Sequence, residues 1–185
     1  DTQIYEGNAA DVFGDGTVSF DKTTNTLTLN GADKGALSTW LEELNVELIG
    51  NNKLTEVGSY PVLRSLYDAE VTIKIQSTGA TKGGLIMSQP YTDDGKFYDG
   101  NVTVSIIEPL TVVSGSLEGN DGNANTVAIG VPYNLWVGGT QVTSANSEDI
   151  LSDYDGTMSF DAANNILTIR DRDRKSGSAG MPRPI

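Results

Sequence analysis

The sequence predicts an all-β fold, namely a short right-handed parallel β-helix with β-hairpin units at its ends. Three observations lead to this prediction. A hairpin motif occurs twice, short strand-like segments recur at spacings of 22 to 31 residues, and Gly and Asn between those segments can form the corners of a coil. An antiparallel β-sandwich, which also contains many short strands, is the alternative fold.

The duplicated motif occupies residues 15–29 and recurs at 155–169, an offset of 140 residues. In the first copy Val18 and Phe20 alternate with polar residues, a pattern that predicts a hairpin with one buried face. Upstream of the second copy, Gly138-Gly139 separates two runs of β-forming residues and predicts a two-residue hairpin turn. Two hairpins therefore open each complete copy.

Short helical turns are predicted just before the duplicated hairpin. Asn8 is followed three residues later by Asp11, and Asn146 by Asp149, in the spacing of a helix cap. We divide the chain into a β-helical module with its hairpin unit at 1–132, a second copy of the opening unit at 133–172, and a charged, then Gly/Pro-rich tail at 173–185. The second copy is either a cap or the beginning of a further module.

Three kinds of segment recur in a fixed order through the body. The first is anchored by Leu37, Leu63 and Leu85; the second by Val46, Val71 and Val102; the third lies at 53–57, 79–82 and 110–115. Each coil has one apolar stripe that it cannot bury alone, so the coils are expected to stack. The predicted inward ladder comprises Val46, Leu48, Val71, Ile73, Val102 and Val104. Helical spacing at 36–44 leaves a two-turn amphipathic helix as an alternative there.

Composition excludes several functions. Lys and Arg number 12 against 25 Asp and Glu, giving a net charge of −13, which argues against nucleic acid and anionic membranes as partners. There is no Cys and no His, which removes thiol nucleophiles, imidazole bases and structural zinc. No apolar run is long enough to predict a transmembrane helix. Acidic side chains suit either a solvated surface or divalent cations, with calcium the candidate cofactor.

The segment from Tyr133 to Ser144, with its continuation through 155–169, resembles a repeat of large secreted and cell-wall-attached proteins of clostridia-related bacteria. The segment 44–52 resembles a rung of the carbohydrate-binding β-helix family of clostridial cellulose degraders. These resemblances imply an extracellular, non-catalytic module that binds acidic plant or cell-surface polysaccharide, with calcium assisting. They also imply neighbouring modules of the same kind in the parent chain.

The best candidate site is the excursion at 89–100, which accounts for the longest spacing between segments. Tyr91, Tyr98 and Asp94 are the predicted carbohydrate-binding residues, because aromatic rings can stack on sugars and carboxylates bond hydroxyls. Asp93, Asp94 and Asp99 are the predicted calcium ligands. The alternative is a plain acidic loop whose aromatic rings pack on the adjacent coil.

Other candidates are weaker. The Asp, Asn and Gly residues at 120–125 and 153–156 resemble pieces of calcium loops but suit turns better. Trp40 and Trp136 are both predicted to lie in the core. Two functions remain open, a carbohydrate-binding module and a structural spacer or adhesin repeat. A polysaccharide lyase is a minor third, with no spacing that brings an acid and Arg64 or Lys96 together.

Overall fold

The computed structural model describes residues 2–58, 60–89, 95–119, 125–151 and 158–170. These ranges contain sixteen strands and no helix, so the all-β prediction is confirmed. None of the described segments is a helix that could cross a membrane. The strands are β1 (Val18–Asp21), β2 (Thr26–Asn30), β3 (Asp33–Lys34), β4 (Leu37–Thr39), β5 (Glu43–Ile49), β6 (Asn51–Thr55), β7 (Leu63–Ser65), β8 (Val71–Gln76), β9 (Gly84–Gln89), β10 (Val102–Ile106), β11 (Thr111–Ser114), β12 (Asn125–Gly130), β13 (Pro132–Val137), β14 (Thr140–Thr143), β15 (Met158–Asp161) and β16 (Ile166–Ile169).

The first sheet has the order β1-β2-β5-β8-β10, and all of its pairs except the β1–β2 hairpin are parallel. Its strands alternate between apolar residues that are buried and polar residues that face outward, as the sequence pattern predicts. Five members of the predicted inward ladder are buried, and Val104 is partly buried. Val46 lies opposite Ile75 rather than Val71, so β5 is displaced along β8 relative to the predicted alignment.

The second sheet has the order β11-β12-β9-β6-β3 and corrects two predictions. Leu85 lies opposite Asn52 of β6, so it does not stack on Leu63. The segment 79–82 forms no strand, because the chain turns within 77–83 directly from β8 into β9. Strand β12, which the sequence did not predict, pairs antiparallel with β9 and joins it to β11.

A third, small sheet pairs β4 with β7 in parallel, with Leu37 opposite Leu63 as predicted. Tyr98 forms the next parallel bridge to Leu63 and so occupies the place predicted for Leu85. The alternative helix at 36–44 is wrong, because this segment contains all of β4 and the beginning of β5. Those strands take their backbone hydrogen bonds from neighbouring strands instead of from their own chain.

The two copies of the opening unit share their local hydrogen bonds. The side-chain oxygen of Asn8 accepts from the Tyr5 N–H at 2.8 Å, and that of Asn146 accepts from the Thr143 N–H at 2.7 Å. These side chains bond to residues that precede them, whereas a helix cap bonds to the N–H groups that follow it. Each predicted helical turn is a single turn, in which the N–H of the Asp donates to the carbonyl oxygen of the Asn three residues before it. The hairpin β13–β14 turns at Gly138 and Gly139, both with positive φ, as the sequence predicted.

The second opening unit packs against the body at Gly83 and Gly84, where β9 begins. The Ser144 hydroxyl donates to the Gly83 carbonyl oxygen at 2.7 Å and accepts from the Val131 N–H at 2.8 Å. A Cβ at Gly84 would lie 2.3 Å from Ala145 Cα, so only glycine permits this approach. The unit is therefore joined to the body by buried backbone contacts.

Candidate functional site

Two of the five predicted site residues fall in the described part of the chain. Tyr98 and Asp99 lie after the excursion, whereas Tyr91, Asp93 and Asp94 lie outside the described residues. The predicted site is thus visible only on its C-terminal side.

Tyr98 is positioned by the buried ring of its neighbour. Phe97 is completely buried, and its N–H donates to the Leu117 carbonyl oxygen at 3.0 Å. Since adjacent residues of an extended chain point to opposite sides, burying Phe97 turns Lys96 and Tyr98 outward. The Tyr98 hydroxyl donates to a carboxylate oxygen of Glu118, whose other oxygen lies 3.4 Å from Lys96 Nζ. Lys96 Nζ also lies 5.8 Å from the centre of the Tyr98 ring.

A surface cleft of about 270 Å³ opens beside this trio. It is lined by Tyr98, Val102, Thr103, Val104, Leu117 and Glu118. One wall is therefore an aromatic ring and aliphatic side chains, and another offers a hydroxyl and a carboxylate. Such a cleft can bind a small chemical group that has one apolar face and polar edges.

The base of the excursion is closed by two buried amide side chains. Gln89 Nε2 donates to the carbonyl oxygens of Gly95 and Lys96 at 2.9 and 2.8 Å. Asn125 Nδ2 reaches the same Gly95 oxygen at 3.3 Å. These bonds join the end of β9 and the start of β12 to the residues that lead into Tyr98. They hold the cleft wall at a fixed place relative to the second sheet.

Both carboxylate oxygens of Asp99 accept hydrogen bonds from the backbone. One of its carboxylate oxygens accepts from the Ser65 N–H at 2.6 Å, and the other accepts from the Asn101 N–H at 3.1 Å. Its own N–H donates to Leu63. Asp99 therefore ties the turn before β10 to β7, as an Asx residue in a turn commonly does.

The described residues do not by themselves form a calcium site. Within the described ranges no three carboxylates converge to hold a metal ion. Calcium takes six to eight oxygen ligands, and Asp99 is already bound to two backbone N–H groups. The other two predicted ligands, Asp93 and Asp94, lie outside the described residues.

A second candidate surface, which the sequence prediction missed, is an exposed aromatic pair. Trp40 follows β4 and is 51% exposed, and Tyr67 follows β7 and is 87% exposed. Their ring centres are 5.9 Å apart and the ring planes are inclined at 53°. The prediction that Trp40 lies in the core is wrong, because β4 buries Thr39 and the next side chain points outward.

The geometry of this pair follows from the parallel strands that carry it. Leu37 and Leu63 lie opposite each other in β4 and β7, and strands paired in this way are about 4.8 Å apart. The Leu66 N–H donates to the Thr39 carbonyl oxygen at 2.8 Å, which continues the pairing to the edge of the rings. Tyr67 has a φ of 59°, a left-handed conformation that turns its ring toward Trp40. In the sequence, both aromatics follow equivalent leucines by three or four residues, a signal that could have revealed them.

Trp136 is also exposed, at 58%, so its predicted place in the core is wrong. In the hairpin β13–β14 the aromatic contact is made instead by Tyr133, whose ring meets that of Phe160 edge-on at 5.4 Å. Because alternate residues of β13 face opposite sides, Tyr133 and Leu135 point inward and Trp136 points to the solvent.

Arg64 is also engaged. Its guanidinium donates to a Glu56 carboxylate oxygen at 2.8 Å and lies 5.5 Å from the centre of the Tyr60 ring. This pairing holds Arg64 in a structural ion pair, partly buried on both sides. Of the calcium-like fragments, 153–156 and most of 120–125 lie outside the described residues.

Three carboxyl groups with lowered pKa values lie in the two copies of the hairpin unit. A hydrogen bond from Lys34, together with bonds from Thr17, holds the pKa of the Asp15 carboxyl well below its usual range. Backbone and side-chain donors at the following residues also lower the pKa values of Asp21 and Asp161, which occupy the same position in the two copies. These carboxylates stabilise turns.

No family model, curated protein or solved structure matches this chain. The two candidate functional surfaces of the described residues are the Trp40–Tyr67 pair and the Tyr98 cleft.

Proposed function

We propose that this chain is a non-catalytic carbohydrate-binding module of an extracellular protein, built as a short right-handed parallel β-helix. The order of its strands supports the coil. The chain passes from β2 to β3 to β4, then from β5 to β6 to β7, and then from β8 to β9 to Tyr98, visiting three sheets in the same order each time.

The observation that carries the binding proposal is the exposed pair of Trp40 and Tyr67. Two neighbouring exposed aromatics form an apolar patch that a soluble protein retains at a cost, which makes such a patch a candidate binding surface. The C–H face of a pyranose ring is apolar while its edges carry hydroxyls, so it can lie on an aromatic ring and keep its hydroxyls in water. Rings repeated on successive coils suit a polymer whose sugars also repeat.

The charge of the chain decides how an acidic glycan would bind. With a net charge of −13, the protein repels a polyuronate unless a cation lies between them. Binding of an acidic polysaccharide is therefore proposed to require calcium and to involve the excursion that contains Tyr91, Asp93 and Asp94. Neutral cell-wall polysaccharide would need no cation and would use the aromatic pair.

Affinity electrophoresis or retention on polysaccharide gels tests this proposal. Polygalacturonate gel, with calcium and then with chelator, is compared with neutral cell-wall glycans. Trp40→Ala with Tyr67→Ala is expected to abolish retention on neutral glycan, and Tyr91→Ala with Tyr98→Ala to abolish calcium-dependent retention. Trp136→Ala, which removes an equally exposed aromatic elsewhere, is the control. Retention that survives both double substitutions would overturn the proposal.

A structural spacer or adhesin repeat is the second candidate function. The observation that favours it is the duplicated opening unit, because a spacer is built by repeating modules whereas a lone binding domain is not. Absence of retention on every acidic and neutral glycan would support the spacer. Release of unsaturated sugar, seen as new ultraviolet absorbance, would instead support a polysaccharide lyase.

A further inference from the structure

The two copies of the duplicated hairpin have the same internal structure. In β1–β2 the pairs run from Val18↔Leu29 to Asp21↔Thr26, and in β15–β16 they run from Met158↔Ile169 to Asp161↔Ile166. Asn25 and Asn165 turn the two hairpins with φ values of 48° and 55°. The second hairpin is therefore formed in the same way as the first.

The two copies share their attachment to the preceding turn as well. The Phe20 N–H donates to the Ala9 carbonyl oxygen at 2.7 Å, and the Phe160 N–H donates to that of Ser147 at 2.7 Å. The Val12 N–H likewise donates to Val18, as the Ile150 N–H does to Met158. The local structure on which the hairpin rests is thus duplicated together with the hairpin.

The copies differ at the outer edge of the second strand. Strand β2 pairs in parallel with β5, which places Leu27 opposite Val46 and Leu29 opposite Leu48. Strand β16 pairs only with β15 among the described residues. In consequence Leu29 is 2% exposed, whereas its counterpart Ile169 is 63% exposed. Ile166 at the start of β16 is exposed too.

We propose that the outer edge of β16 is a docking edge for a second copy of the body, which enters with its β5-type strand in parallel. The first copy supplies both the occupant and the register. Leu167 would face the residue equivalent to Val46, and Ile169 the residue equivalent to Leu48. An edge strand has unpaired backbone N–H and C=O groups, and apolar side chains on it stay exposed. A β5-type strand in parallel would pair with those backbone groups and bury those side chains.

This inference does not depend on carbohydrate binding, since it concerns the junction between modules. Residues 133–170 would then contact two bodies, one on each side. Ser144 and Ala145 pack on the body before them, and β16 receives the body after them. The unit would then continue the first sheet from one module to the next.

The test extends the chain by a second body. Residues 31–170 are added after Arg170, so that the added β5 follows β16 at the distance by which β5 follows β2. Amide hydrogen exchange is measured in the full chain and in the extended chain, and each β16 amide is compared with its β2 counterpart. In the full chain, edge amides of β16 are expected to exchange at least 100-fold faster than those of β2. In the extended chain the difference is expected to fall below tenfold.

Two substitutions in the extended chain sharpen the test. Ile169→Lys, on the apolar face, is expected to restore fast exchange in β16, whereas Thr168→Lys, on the opposite face, is expected to leave exchange slow. In the unextended chain Ile169→Lys should leave the melting temperature unchanged. An added body that folds while β16 still exchanges fast, or one that stays unfolded, would overturn the proposal.

Discussion

The side chain of Asn52 bonds to the backbone of three separate segments of the chain, and its contact with Gly84 is the farthest of these in sequence. Its amide nitrogen donates to the carbonyl oxygens of Ile49, Gly50 and Gly84, each at 3.1 Å. Its oxygen accepts from the Ala32 N–H at 2.9 Å. Because Asn52 is buried, water cannot supply these hydrogen bonds to the backbone groups if the side chain is removed.

Asn52→Ala should therefore destabilise the chain by about 1–3 kcal/mol, the usual cost of leaving a buried polar group unpaired. Urea denaturation gives the free energy of unfolding. Asn30→Ala, at an exposed position at the end of β2, is the control and should change little. A matching loss in both variants would mean that the buried hydrogen bonds are not the cause.

Gly84→Ala should disrupt the contact between the body and the second opening unit. The added Cβ would meet the Ala145 backbone, which cannot move away as a flexible side chain could. Gly100→Ala is the control, because a Cβ there meets nothing within 4 Å. We expect a lower melting temperature and faster amide exchange at 142–150 in Gly84→Ala only. Normal exchange at these residues would contradict the proposed importance of the contact.

Removal of residues 133–185 should lower the melting temperature of the remaining chain. The deletion removes Ser144, which donates to the Gly83 carbonyl oxygen, and Ala145, which packs against Gly84, so both parts of the body become exposed to solvent. Removal of 171–185 alone is the comparison and should have a much smaller effect. An unaltered melting temperature after the longer deletion would assign 133–172 to a following module instead of this one.

Acid should destabilise the first hairpin through Asp15. Its pKa is lowered in the folded chain, so its contribution to stability is complete above the ordinary Asp pKa of about 3.9 and is lost as the pH falls further. Asp15→Asn and Lys34→Gln should each flatten the dependence of melting temperature on pH below pH 4. Circular dichroism melts between pH 2 and 7 measure this slope. A slope identical to that of the unsubstituted chain would exclude the Asp15–Lys34 pair as its source.

The hydrogen bonds from Gln89 to Gly95 and Lys96 give a prediction about the Tyr98 cleft. Gln89→Leu keeps a buried side chain of similar size but removes the amide donor that holds the Gly95 and Lys96 carbonyl oxygens. We expect weaker calcium-dependent glycan retention with little change in retention on neutral glycan, because the Trp40–Tyr67 pair is carried by β4 and β7 whereas Gln89 lies at the end of β9. Equal loss on both glycans would indicate general unfolding, which a melting curve would reveal.

Sequence patterns predicted the parts of the fold that depend on alternation and turn chemistry. The Gly138-Gly139 hairpin, the duplicated hairpin and the buried faces of β5 and β8 all follow from local residue choice. The assignment of Leu85 failed because alternation shows that a strand has a buried face but not which sheet it joins. Only the chain length between strands decides that, and 77–83 is too short to pass through a further strand.

The candidate site was harder to predict, for a different physical reason. An aromatic residue flanked by apolar residues has the same sequence signature whether it faces the core or the solvent. Trp40 shares helical spacing with Leu37 and Leu44, yet strand geometry turns it outward beside Tyr67. Asp99 is predicted as a cation ligand because its neighbours are acidic, and its carboxylate also accepts hydrogen bonds from the backbone of β7 and of its own turn, so its role as a cation ligand stays a prediction.

The hydrogen bonds from Gln89 and Asn125 to Gly95 have a consequence for protein engineering. The described strands on both sides of 90–94 are aligned by their own pairing, β9 with β6 and β12 and Tyr98 with Leu63. We therefore expect a change in the number and kind of residues at 90–94 to leave that pairing intact. This segment is thus a suitable place to graft a foreign peptide for display.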